Sequence, residues 1–150
     1  MTYFIDFYGT AFDTAAFDAY RKARPAAGEY APGELAPFLY PDARGFLLDK
    51  GNSAMVLTSA SEADSGSLIK SALHGIPRIA VIYTNGAMKG DYLAPHIDMY
   101  GQSPVFVDDS ADQLANMAAR CPNVRVHEMR RDGGAGSGSY PVVSALSQLP

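Results

Sequence analysis

The sequence predicts an α/β protein: a three-layer, doubly wound, Rossmann-like fold built on a mainly parallel five-stranded sheet. Three observations lead there. Five short β-like runs recur along the 150 residues, amphipathic stretches lie between them, and short polar residues or glycines mark the boundaries. Strands that alternate with helices imply right-handed crossovers and a sheet covered on both faces.

The β-like runs are Tyr3 to Phe7, Ala54 to Thr58, Ile79 to Tyr83, Pro104 to Asp108 and Asn123 to His127. Four are rich in Val, Ile, Phe or Leu without clean alternation, as strands buried on both faces require. Between them, Thr14 to Ala23, Pro41 to Lys50, Ala63 to His74, Lys89 to Ile97 and Ala111 to Arg120 read as crossover helices. Asp13, Ser61 and Ser110 stand near helix starts, where a short polar side chain accepts orphan backbone N–H groups. Gly51 and Gly75 mark helix ends.

Two segments fall outside this alternation. Arg24 to Pro37 is rich in Ala, Pro and Gly and too short for a separate lid, so a helical turn or flap is expected. Residues 132–139, Asp-Gly-Gly-Ala-Gly-Ser-Gly-Ser, read as a flexible linker-like loop, followed by an apolar tail, Tyr140 to Leu149, that should dock as a last helix. The length suits one domain over 1–150 with a genuine core.

Composition narrows the function. With 47% hydrophobic and 19% charged residues the chain is globular in type. A net charge of -4 and scattered basic residues, apart from the pair Arg130 and Arg131, argue against nucleic acid as a partner. Cys121 is the lone cysteine, so no intrachain disulfide can form, and a reducing, cytoplasmic setting is expected. No apolar run approaches the ~18 residues of a membrane span, and no membrane partner is expected. A phosphate-loop motif, a Gly-x-Ser-x-Gly elbow and a cysteine pair for zinc are all missing. His74, His96 and His127 are widely spaced and read as surface or interface residues.

Ligands of such folds bind at the carboxyl ends of the strands, and the reactive residue types collect there. Asp6 follows the first strand, in Ile5-Asp6-Phe7-Tyr8-Gly9-Thr10. Alone, such an acid is as readily a turn former. Thr58 closes the second strand, with Ser59 as a weaker candidate, and a strand-end hydroxyl is its bland reading. Lys89 begins the helix after the third strand, where a solvated lysine is the alternative. The fourth strand, Val105-Phe106-Val107, ends in Asp108-Asp109-Ser110. Adjacent like charges repel, so a cation is expected beside them, and Mg²⁺ suits hard oxygen ligands. Asp109 or Ser110 would also serve as a helix cap.

In this order the four motifs resemble those of the haloacid dehalogenase-like hydrolase superfamily, over residues 2 to about 130. The resemblance implies that Asp6 is a nucleophile that forms and then releases a covalent aspartyl intermediate. It implies that Thr58 binds a phosphoryl oxygen and Lys89 offsets charge at the centre. It implies Mg²⁺ held by Asp6, the backbone carbonyl of Tyr8 and Asp108, with Asp109 as a ligand through water or a partner to Lys89. A phosphatase is the first expectation, acting on a phosphorylated small molecule or, because a minimally capped site is open, on a macromolecular phosphate. Closure by a second subunit in a homo-oligomer is the other way to cover it.

One position departs from the phosphatases, which carry an aspartate two residues after the nucleophile where this chain has Tyr8. A phenol with a pKa near ~10 is a poor proton donor and base at neutral pH, and loss of acid–base help costs about 10²- to 10⁴-fold in rate. A catalytically impaired phosphate- or metal-binding domain is therefore a second expectation. Asp-x-Tyr-Gly-Thr also resembles the metal-independent 2-haloacid dehalogenases, a third. Those enzymes insert a large helical cap where this chain has about forty residues, with Arg21, Arg24 and Arg44 as the basic side chains on offer, and they lack the adjacent aspartates.

Overall fold

The computed structural model describes residues 1–24 and 29–150. Six strands form one sheet: β1 (Tyr3–Ile5), β2 (Ala54–Thr58), β3 (Ala80–Tyr83), β4 (Val105–Asp108), β5 (Arg125–Met129) and β6 (Val142–Val143). Their order is β3-β2-β1-β4-β5-β6, and every pair is parallel. Five α-helices accompany them: α1 (Thr14–Ala23), α2 (Pro41–Lys50), α3 (Glu62–Ala72), α4 (Lys89–Leu93) and α5 (Ala111–Arg120).

Both faces of the sheet are buried. Ile5, Val56 and Val107 pack with Phe17 of α1, Leu47 of α2 and Ile69 of α3 on one face. Phe4, Leu57 and Phe106 pack with Leu93 of α4 and Leu114 and Met117 of α5 on the other. Neighbouring residues of one strand serve opposite cores, which is why the strands read as continuous apolar runs. Each fully buried Phe or Leu contributes about 1.5–3 kcal/mol relative to exposure.

Local chemistry sets the helix ends. The Asp13 carboxylate accepts from Ala16 N at 3.1 Å and opens α1, and Ser61 Oγ accepts from Asp64 N at 3.1 Å and opens α3. Pro41 stands in the first turn of α2, where its missing N–H costs nothing. Gly51 ends that helix at φ +54°, and Gly75 lies three residues past α3 at φ +87°. Ser110 is the exception, because its side chain makes no cap.

Several expectations are corrected. The sheet has six strands and not five, because the tail supplies a strand where a docking helix was expected. Val142 and Val143 pair with Glu128 and Met129, Arg130 N donates to Val143 O at 2.8 Å, and Leu146–Gln148 makes only a 3₁₀ turn. Two β-branched residues beside the open outer edge of β5 favour that ladder. The last predicted run is displaced to Arg125–Met129, since Val124 N closes a turn on Cys121 O at 3.0 Å. The fourth helix stops at Leu93 and continues as a 3₁₀ segment, Ala94–Tyr100, with Pro95 in its first turn. Part of the Arg24 to Pro37 segment, residues 25–28, lies outside the described residues; its remainder includes buried Leu35 and leads into a 3₁₀ turn, Ala36–Phe38. No helix among the described residues is long and apolar enough to cross a membrane.

Candidate active site

The strand order reverses direction between β1 and β4, and the crevice at such a switch point is where open α/β sheets place ligands. Asp6 and Asp108 end these two strands. Asp6 N donates to Val107 O at 3.0 Å, so the backbone that carries the Asp6 carboxylate is still held by β4. Both acids are buried. The chain after Asp6 turns tightly, with Ala11 N and Phe12 N both donating to Phe7 O at 3.0 and 2.9 Å.

Lys89 crosses to this pair from the first turn of α4. Its Nζ donates to Asp6 Oδ1 at 2.5 Å and to Asp108 Oδ2 at 2.6 Å, and the side chain is buried. The turn before it is fixed by Thr84 Oγ1, which donates to Ala87 O at 2.6 Å, and by left-handed Asn85 and Gly86. Helix α5 then clamps α4: Gln113 Oε1 accepts from Lys89 N at 2.9 Å and Asn116 Oδ1 accepts from Asp91 N at 3.0 Å. Gly90 permits this approach, since a Cβ there would meet the Asn116 backbone.

Asp109 completes the cluster. Oxygens of Asp6, Asp108 and Asp109 lie within 4.8 Å of one another. The Asp109 carboxylate sits where a side chain on Gly9 would be, and Gly9 also has φ +78°, so two independent constraints demand glycine there. Asp108 Oδ1 accepts from Ser110 N at 2.9 Å, leaving its other oxygen for Lys89.

The electrostatics follow from burial. Burial pushes the Asp6 carboxyl up to about 7, against the pull of Lys89 and with the help of Asp108 and Asp109. Burial likewise raises Asp109, with Asp108 as the next cause. Burial opposes the charge on Lys89, but Asp6 and Asp108 outweigh it and hold the ammonium above the usual lysine value. One cation thus serves three acids. An excess of hard carboxylate oxygen is the donor set that suits a divalent cation such as Mg²⁺.

The other expected residues divide. Thr58 is buried at the end of β2, and its Oγ1 accepts from Ala60 N at 3.3 Å. Ser59 O accepts from Gly86 N at 2.7 Å in the loop that leads to Lys89. The Tyr8 hydroxyl donates to Ser65 Oγ of α3 at 2.9 Å, and its ring stands edge-on to Phe7 and Phe12. Burial raises its pKa further above the ordinary phenol value. Arg21 pairs with Asp18, Arg24 with Glu34, and Arg44 reaches His74 O, so none of the three meets the acid cluster. Burial lowers the His127 pKa, and no histidine joins the metal-type cluster found among the described residues.

Two residues with no earlier role support the centre. Thr10 Oγ1 donates to Asp6 Oδ2 at 2.9 Å, so Thr10 and Lys89 each hold one oxygen of the same carboxylate. Arg131 in turn grips Thr10 O through Nε at 2.9 Å and Nη2 at 2.6 Å, while its Nη1 donates to Asp42 Oδ1 at 2.7 Å and Ser144 O at 3.2 Å. A separate groove of about 1010 Å³ lies between α3 and β3, bordered by Tyr30, Ile76 and Tyr83. It contains none of the clustered acids.

No family model matches the chain, and no curated protein does. Among solved structures, the crystal structure of UTR4 protein from Saccharomyces cerevisiae is similar, at 15% identity and a TM-score of 0.51. The match covers 88% of this chain, which spans 62% of the UTR4 chain. At this identity the likeness shows a shared α/β fold and nothing finer.

Proposed function

We propose that this chain is a haloacid dehalogenase-like hydrolase that removes phosphoryl groups with Asp6 as nucleophile. The observation that carries the reading is the Lys89 ammonium bridging Asp6 and Asp108 at 2.5 and 2.6 Å, beside a third carboxylate, Asp109. Asp6, Asp108 and Asp109, with the Tyr8 carbonyl, would hold Mg²⁺, which would supply positive charge for the phosphoryl oxygens. With burial raising the Asp6 carboxyl to about 7, a further cation nearby would favour its ionised form at neutral pH.

In the first step an Asp6 oxygen bonds to phosphorus, the ester P–O bond breaks, and the leaving oxygen takes a proton from water. Water then attacks the aspartyl phosphate at phosphorus, the bond to Asp6 breaks, and inorganic phosphate departs. Thr10 and Lys89 fix the plane of the attacking carboxylate, and Thr58 binds a phosphoryl oxygen. Tyr8 contributes its backbone and not its phenol, because the hydroxyl is committed to Ser65. That same commitment favours a second reading, a domain that binds metal and phosphate but turns over slowly.

The test is a matrix of wild type, Asp6→Asn and Tyr8→Asp against an aryl phosphate, an alkyl phosphate and 2-chloropropionate, each with Mg²⁺ and with chelator. Wild type should hydrolyse the aryl ester best, Asp6→Asn should lose activity by at least ~10³-fold, and Tyr8→Asp should gain ~10-fold or more on the alkyl ester. Metal-independent halide release would replace the reading with a dehalogenase. Silence with all substrates, while Mg²⁺ still binds, would replace it with a binding domain.

A further inference from the structure

We propose that the pocket beside Asp109 takes a second anionic group of the substrate, a carboxylate or a phosphate, and that Arg130 reads it. The inference rests on the phosphoryl-hydrolase reading above and names the substrate class for the same site. The pocket measures about 260 Å³ and is lined by Gly9, Asp109, Met129, Arg130, Arg131 and Asp132. It is just under the ~300 Å³ at which drug-sized sites begin, which suits one small polar group. Asp109 belongs both to its wall and to the acid cluster, so an ester bound at Asp6 lies next to it.

Its two arginines differ in what they are free to do. The Arg131 guanidinium makes four hydrogen bonds to Thr10, Asp42 and Ser144 and stacks at 4.0 Å on Tyr40. Among the described residues, the acids that Arg130 meets are at long range, 3.8 Å to Glu128 and 3.5 Å to Asp132, against the ~2.7–2.9 Å of a good charged hydrogen bond. Both of those acids have better partners: Glu128 Oε2 accepts from Ser137 N and Oγ at 2.9 Å each, and Asp132 Oδ1 accepts from Gly134 N at 2.8 Å. The Arg130 side chain is 38% exposed, so its planar fork of donors faces solvent at the pocket rim. Arg131 is already neutralised by Asp42, so Arg130 is the guanidinium with donors to spare, and an entering anion would displace only its long contacts to Glu128 and Asp132.

A matched series tests this. The kcat/KM ratio of 3-(phosphonooxy)propanoate to propyl phosphate should be about tenfold or more for wild type, and smaller in high salt. Arg130→Gln should bring the ratio close to one, and Arg130→Lys, which keeps the charge but loses the fork, should fall between. Propane-1,3-diyl bisphosphate in the same series tells whether carboxylate or phosphate is preferred. Binding of 4-phosphonobutanoate and butylphosphonate with Mg²⁺, in which a methylene replaces the ester oxygen, should give the same ratios by calorimetry without turnover. A wild-type binding ratio near one, no binding of either phosphonate, or a ratio unchanged in Arg130→Gln would overturn the proposal. A tenfold binding ratio lost in Arg130→Gln, with no ester hydrolysed by wild type, would keep the subsite and overturn the hydrolase reading instead.

Discussion

The centre at the ends of β1 and β4 and the rim after β5 are adjacent, yet they are built on opposite principles. At the centre Asp6 and Lys89 are each held at least twice. Asp6 is held by Lys89 and Thr10, Lys89 by two acids and the clamp from α5, and Asp109 is fitted against Gly9. At the rim, Arg130 is held by contacts of 3.5 Å and beyond. On the proposed reading, groups that would meet a reacting atom in one geometry are over-determined, while the group that would select among ligands keeps its freedom. The two arginines compress the same contrast into neighbouring positions.

The sharpest way to break this contrast is to remove the shared cation. Lys89→Met would leave two acids buried without their partner, and we expect a stability loss of ~3–5 kcal/mol by denaturant unfolding. Added Mg²⁺ should recover part of that loss if the acids form a cation site. A loss below ~1 kcal/mol would mean that water replaces the ammonium and that the centre is less enclosed than its burial indicates.

Next in size is the arginine pair. Arg131→Met should cost ~2–3 kcal/mol, since Thr10 O, Asp42 and Ser144 O lose a charged donor together. Arg130→Gln should stay within ~0.5 kcal/mol, as for an exposed side chain with weak partners. Equal losses in both thermal melts would erase the distinction between structural and selecting arginine.

The last test is of pH. The Asp6 carboxyl titrates near 7 in the folded chain and near ~3.9 when unfolded, so between those values the folded state binds the extra proton. Its contribution to stability is therefore full below pH ~4 and is lost as pH rises through about 7. In chelator, replacing Asp6 by Asn should flatten the fall of Tm across that window. If Mg²⁺ binds at these acids it would compete with the proton, and it should then raise Tm more at pH 8 than at pH 5.

What the sequence disclosed is what local pattern encodes. Asp6 and Asp108-Asp109 were legible because an apolar run ending in acid places a carboxylate at a strand terminus, and Lys89 because the third strand and its loop precede it. The bridge from Lys89 to both acids spans 83 and 19 residues and needed the strand order. Arg131 gave no signal, as its grip on Thr10 crosses 121 residues. The direction of Tyr8 was equally hidden, being decided by Ser65 and two phenylalanines. The sixth strand was missed because two residues carry too little periodicity to separate strand from tail.

Cys121 offers an internal clock for this arrangement. It is the sole thiol of the sequence, buried behind Lys89, with Sγ 3.6 Å from the carbonyl of Gly90 and its pKa raised by burial. A thiol reagent can reach the buried sulfur only through local opening, so its labelling rate in native conditions reports how often the packing between the end of α5 and the start of α4 loosens. Slower labelling with Mg²⁺ and phosphate present would show that a ligand at the acids is felt through the protein at the far side of that helix.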